Sequence, residues 1–157
     1  MRKSKVLKKH KINPDPVYKD LTVSKFVNHL MRNGKKFVAY KIFYKAIKLI
    51  EDKTKGKGLE ILMTAIKNTS PSVEIKRRRI GGNTAQIPVE IRKDRADFLA
   101  MTWLIKYAKK RAEKRMAVKL ANEVVDAYNG EGEAIKKREE IHKMASSNKL
   151  FAPMKGK

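Results

Sequence analysis

The stretch Ser72-Val-Glu-Ile-Lys-Arg-Arg-Arg-Ile-Gly-Gly-Asn-Thr-Ala-Gln-Ile-Pro-Val-Glu-Ile91 decides the fold, because it sets the period of a strand inside a chain that is otherwise helical. Val73 and Ile75 alternate with Glu74 and Lys76, the chain turns at Gly81-Gly82-Asn83, and Ile87, Val89 and Ile91 resume the alternation. The spacing predicts a β-hairpin over residues 72–91. Its apolar residues stand near the open end, whereas the far half carries Lys76, Arg77, Arg78, Arg79, Thr84 and Gln86 around glycines. Only the base can then join a core, and the tip should project. Pro88 donates no ladder hydrogen bond, which suits a free two-stranded arm better than the middle of a sheet.

Outward from the hairpin the period is helical. On the N-terminal side, Val23, Phe26, Val27, Leu30 and Met31 form one apolar stripe from Asp20 to a stop at Asn33-Gly34. Residues 36–52 are apolar over most of their circumference and read as a central helix, with Lys41, Lys45 and Lys48 sharing one face that meets solvent or a phosphate. Leu59, Leu62 and Ile66 mark a third helix, which Ser70-Pro71 ends. On the C-terminal side, residues 93–111 form the longest helix, with Leu99, Trp103 and Leu104 among its buried residues and Lys109, Lys110 and Arg111 in its last turn. A fifth helix runs from about Arg115 to Tyr128 and stops at Asn129-Gly130. A sixth, about 133–147, is so charged that it should dock partly on a ligand. The fold class is therefore mainly α: a single domain over 1–157 of about six helices, with a two-stranded hairpin between the third and fourth. A basic arm (1–19) precedes it and a tail (148–157) follows.

Charge limits the partner. Thirty-nine Lys and Arg against sixteen Asp and Glu leave a formal net charge of +23 on 157 residues. A surplus of that size opposes folding by self-repulsion and is relieved where phosphates neutralise it, so the partner is a polyanion. With no cysteine, disulfides and thiolate metal sites are excluded. His10, His29 and His142 are too scattered for a metal or catalytic cluster, and no nucleophile-base or paired-carboxylate pattern stands out. No enzymatic activity, cofactor or metal is expected. The opening segment lacks the apolar run of a secretory signal, and no stretch approaches the roughly 18 apolar residues of a membrane span, so a soluble, unexported protein is expected.

The cations fall into groups. Arg2, Lys3, Lys5, Lys8, Lys9 and Lys11 make up the arm. Lys76 to Arg79 alternate across a strand and put charge on both faces of a narrow ribbon, which suits insertion between phosphate backbones; a solvated edge strand that resists aggregation is the plain alternative. Gly34-Lys35-Lys36 and Lys114-Arg115 each precede a helix, where cations join free backbone N–H groups, although the Walker spacing is absent. Trp103 could stack on a base, but its spacing from Leu99 favours the core.

These blocks together resemble the bacterial and organellar small-subunit ribosomal protein S-seven family over nearly the whole chain. The strongest is Asp20-Leu-Thr-Val-Ser-Lys-Phe-Val-Asn-His-Leu-Met-Arg-Asn-Gly-Lys-Lys36 with Ile42, Phe43 and Ala46. Asn13-Pro-Asp-Pro-Val-Tyr18, Arg78-Arg-Ile-Gly-Gly82, Gln86-Ile-Pro-Val-Glu90, Met116-Ala117, Leu120-Ala-Asn-Glu123, Lys136-Lys-Arg-Glu139 and His142-Lys-Met-Ala145 support it. The resemblance implies a protein that binds the 3′ major domain of small-subunit ribosomal RNA, nucleates head assembly, and lies beside the exit-site tRNA and the mRNA path among other head and platform proteins. It further implies a monomer outside the ribosome and a cytoplasmic location, or an organellar one if organelle-encoded. Ribosomal RNA contacts are then expected at Arg2, Lys3, Lys5, Lys8, Lys9, Lys11, Lys35, Lys36, Lys76, Arg77, Arg78, Arg79, Gly81, Gly82, Arg92, Arg95, Lys110, Arg111, Lys114, Arg115, Met116, Lys136, Lys137, Arg138, His142 and Lys143. Arg78, Arg79, Gly82, Asn83 and Lys149 would face tRNA or mRNA. The chain departs from the family at Ala85, where an aromatic is usual, and beyond Phe151-Ala152 in the tail. The rival reading is a DNA-binding regulator that uses residues 93–128 as a helix-turn-helix with the hairpin as a wing.

Overall fold

A computed structural model of the chain describes residues 12–80 and 82–148. Among these, six helices and one hairpin follow in the order α1 (Leu21–Leu30), α2 (Lys36–Thr54), α3 (Gly58–Thr69), β1 (Val73–Ile80), β2 (Asn83–Glu90), α4 (Lys93–Lys110), α5 (Met116–Tyr128) and α6 (Glu133–Ser147). The mainly α class and the hairpin between α3 and α4 are as the sequence predicts.

Several helix ends have a local reason. Asp20 caps α1 by accepting from the Thr22 N–H at 2.5 Å. The helix closes at Leu30 because Met31 (φ −60°, ψ 139°) is already extended, and Asn33 (φ 51°) and Gly34 (φ 72°), both left-handed, then reverse the chain into α2. Gly58 opens α3 so close to α2 that a Cβ there would lie 2.8 Å from Ile47 Cγ2 and 2.9 Å from Ile47 O, a separation only glycine permits. Gly130, at φ 83°, ends the α5 turn.

The core is a single apolar cluster drawn from all six helices. Val23, Phe26, Val27 and Leu30 of α1 meet Phe43, Ile47 and Ile50 of α2, and Leu104, Leu120 and Val124 continue the cluster through α4 and α5. The hub is α5, which packs against α2, α3, α4 and α6, whereas the sequence pointed to α2 as the central helix. The difference lies in Phe37 and Val38 of α2: they enlarge its apolar circumference but stand exposed, at 70% and 49%. Trp103 is buried, as its spacing indicates.

The register pairs Val73 with Glu90 and Ile80 with Asn83, in antiparallel order. Directly opposed residues share a face, so Val73, Ile75 and Pro88 lie on one side and Ile87 and Val89 on the other. The apolar residues of the base therefore do not combine into one core-facing patch. Val73 and Ile75 instead line a groove of about 360 Å³ against Leu99, Trp103, Ile141 and Met144, flanking the main core. The Arg95 guanidinium donates to Glu74 at 2.8 and 3.3 Å and ties the base to α4, while His142 Nε2 on α6 accepts from the Ser72 N–H at 3.2 Å. Beyond that base Lys76 to Arg79, Gly82 and Thr84 are exposed, and the arm projects.

Before α1, the Asn13-Pro-Asp-Pro segment is pinned. Asp15 is buried; its Oδ2 accepts from the Val17 and Tyr18 N–H groups at 3.0 and 2.9 Å, and its Oδ1 accepts from the Tyr44 hydroxyl at 3.0 Å. Burial, then the bond to Asp15, raises the Tyr44 pKa.

Candidate nucleic-acid interface

Among the described residues, the cations expected to meet RNA occupy four neighbourhoods. The first is the hairpin. The register puts Arg77 and Arg79 on one face and Lys76 and Arg78 on the other, all exposed and with no ion-pair partner among the described residues. Gly82, at φ 87°, has nothing within 4 Å of a hypothetical Cβ, so its role there is the turn.

The second could not be foreseen from spacing. Lys35 caps α2 and Met116 begins α5, some eighty residues apart in sequence, yet both line one cavity of about 310 Å³. Leu30, Val38, Ala39 and Ile42 make its apolar wall, and Arg32, Lys35 and Lys109 contribute its cations. Lys36, Lys114 and Arg115 are exposed beside those same two helix starts. The two junctions singled out for phosphates therefore form one basic surface with an apolar floor. Arg32 and Lys109 were missed by sequence reasoning; the signal available was their adjacency to Gly34-Lys35 and to Lys110.

The third is the α4–α5 connection, where the expected cations divide. Lys110 is exposed, with its ammonium 5.3 Å from the Tyr107 ring centroid. Arg111, by contrast, turns inward. Its Nε donates to Glu123 at 2.7 Å, its Nη2 to Asp126, and its Nη1 lies 3.8 Å from Glu113. Burial works against the Arg111 charge, but the bonds to Asp126 and Glu123 outweigh it and hold its pKa above the usual arginine value. Glu123 is 1% exposed and also accepts from the Ala134 N–H at 3.2 Å, so the cluster joins α5 to the start of α6. Glu113 is held below the usual carboxylate range, mainly by its bond from Asn122. Arg111 thus shapes the loop that displays Lys110, Lys114 and Arg115.

The fourth is α6 with the hairpin base. Lys136 pairs with Glu133, Lys137 with Glu140, and Arg138 donates to the Asn68 carbonyl and lies 3.5 Å from Glu139. Lys143 and Arg92 are exposed without such partners among the described residues. Arg95 is engaged by Glu74, whose carboxyl it holds below the usual range by hydrogen bonding. His142 is half-buried at the hairpin base. Arg2, Lys3, Lys5, Lys8, Lys9, Lys11, Gly81 and Lys149 lie outside the described residues, and Asn83 is placed only as the first residue of β2.

No group of His, Cys, Asp and Glu that could hold a metal occurs among the described residues, and none of their helices is long and apolar enough to cross a membrane.

Residues 1–149 match the family model for ribosomal protein S7p/S5e. The chain is 51% identical to the small ribosomal subunit protein uS7 of Cytophaga hutchinsonii over 152 residues, 97% of each chain. It is 49% identical to that of Natranaerobius thermophilus over 144 residues, 92% of each, and 45% identical to that of Marinobacter nauticus over 152 residues, 97% of each. The match takes in every element that carries the basic surfaces, and the chain belongs to the ribosomal protein S7p/S5e family.

Proposed function

We propose that this chain organises the head of the small ribosomal subunit by binding the 3′ major domain of its RNA at a junction of several helices, with the hairpin tip near the exit-site tRNA and the mRNA path. Family membership makes it a structural, non-enzymatic constituent of the small subunit, in which ribosomal RNA and other ribosomal proteins are its partners. The observation that carries the finer reading is the distribution of exposed cations lacking acidic partners among the described residues: Lys76 to Arg79 on the hairpin, Lys35 and Lys36 before α2, and Lys114 and Arg115 before α5. Elements that point in different directions can hold phosphates of different RNA helices in one arrangement. Specificity then comes from RNA shape.

The DNA-regulator reading loses its physical basis in α5. A recognition helix needs free side chains over a groove, but α5 is packed by four other helices and its sole cation, Lys119, donates to the carbonyls of Lys109 and Arg111. The test is a salt series on binding to the folded 3′ domain. With about eight phosphates neutralised, affinity should fall by roughly three to five orders of magnitude between about 50 and 200 mM salt, and a much shallower fall would contradict the reading.

A further inference from the structure

Resting on that RNA-binding reading, we propose that the outward face of α2 is an additional RNA contact, which takes a single-stranded segment with one base stacked on Phe37 and successive phosphates along Lys41, Lys45 and Lys48. Phe37, Lys41 and Lys48 fall on one line of the helix with Lys45 beside it, and all four are exposed. The three lysines have no hydrogen bond or ion pair among the described residues. Lys41 and Lys45 are like charges at i and i+4, an arrangement that costs helix stability.

The charge order of α2 also runs against its macrodipole. Its first turn holds no acid, and its only acids, Glu51 and Asp52, stand in the last turn. By contrast α3, α4 and α6 each place an acid in the first turn, Glu60, Asp94 and Glu133, and the Asp20 side chain caps α1; α5 shares with α2 the lack of a first-turn acid. A helix whose charges oppose its own stability is explained when a polyanion offsets them.

The ring and the cations fit one kind of strand. Phe37 is 70% exposed, and the Lys41 ammonium sits 4.7 Å from its centroid, so an aromatic platform and a phosphate ligand are adjacent. Lys41 and Lys48 are about 10 Å apart along the axis, a length over which a strand carries at least two phosphates. A duplex keeps its bases inside and leaves the ring bare, whereas an unpaired base covers it.

The test uses the full chain, a labelled unstructured oligouridine, a duplex RNA, polyglutamate and the folded 3′ domain. The K41Q/K45Q/K48Q variant should bind the oligouridine more weakly, with a salt slope reduced by about 2. Phe37→Ser should weaken it about five- to a hundredfold with the slope unchanged. Thermal unfolding of the lysine variant should be equal to the parent's or higher. Unchanged oligouridine affinity and slope in the lysine variant would overturn the proposal, as would a loss confined to polyglutamate, which marks an acidic protein partner, or equal losses on duplex with Phe37→Ser silent. If R77A/R78A/R79A still weakens binding to the folded 3′ domain, the general RNA reading survives such a failure; if neither variant affects that RNA, both fall.

Discussion

Replacing Arg77, Arg78 and Arg79 together by Ala separates binding from folding. All three are exposed and have no acidic partner among the described residues. The register places them opposite Gln86, Ala85 and Thr84, so their loss removes no charge pair from the ladder. Substitutions of this kind usually change stability by less than about 0.5 kcal/mol each. Three fewer cations also reduce self-repulsion in a chain of net charge +23. Thermal unfolding should therefore stay within a few degrees of the parent. If each arginine neutralises one phosphate, the slope of log affinity against log salt loses about 2.7, at about 0.9 per phosphate. The gap between parent and variant then narrows about fortyfold from roughly 50 to 200 mM salt. Filter binding or fluorescence anisotropy on the folded 3′ domain reads this directly. A variant that unfolds early, or one that binds with the parental slope, would refute the reasoning: the first makes the run structural, and the second takes it off the RNA.

Other consequences follow from groups packed between the elements. Arg111→Ala strands the Glu123 carboxylate, which is 1% exposed, and should cost about 3 to 5 kcal/mol; in urea unfolding the midpoint falls with little change in slope, and an unshifted midpoint would exclude the clamp. Gly58→Ala forces a Cβ to within 2.8 Å of Ile47 and should destabilise by about 1 to 3 kcal/mol, measured the same way; a neutral result would mean that α2 and α3 separate easily. Glu74 has a lowered folded pKa because Arg95 hydrogen-bonds its charged form, so its contribution to stability is present above its unfolded pKa of about 4.3 and is lost as pH falls through the lower folded value. Glu74→Gln should therefore be less stable than the parent near pH 7, and the difference should shrink toward pH 3; a difference independent of pH would assign the effect to packing.

The hairpin was legible because strand period, paired glycines and Pro88 all act locally, and the ends of α2 to α6 lie within two residues of expectation for similar reasons. Helix α1 ended early because Met31 turns extended, two residues ahead of the left-handed Asn33 and Gly34. What could not be read was long-range. Nothing in the spacing places Lys35 beside Met116; that adjacency follows from α2 packing on α5. Arg111 looked like its neighbours Lys110 and Lys114, and only the turn of the chain after α4 brings Glu123 and Asp126 to it. Charge is visible in sequence, but whether Arg111 is already partnered depends on contacts twelve or more residues away. The exposure of Phe37 is a similar case, since an apolar residue on an amphipathic helix is ordinarily assigned to the core.

The central claim is shape-specific binding to one RNA domain, and competition tests it most directly. The full chain would be bound to the labelled 3′ domain of small-subunit ribosomal RNA and challenged, across a salt series, with equal masses of unlabelled 3′ domain, unrelated structured RNA and duplex DNA. The account predicts that at elevated salt only the 3′ domain competes effectively, because shape selects where simple charge attraction has been screened. Equal competition by all three at every salt concentration would contradict it and leave a nonspecific polycation.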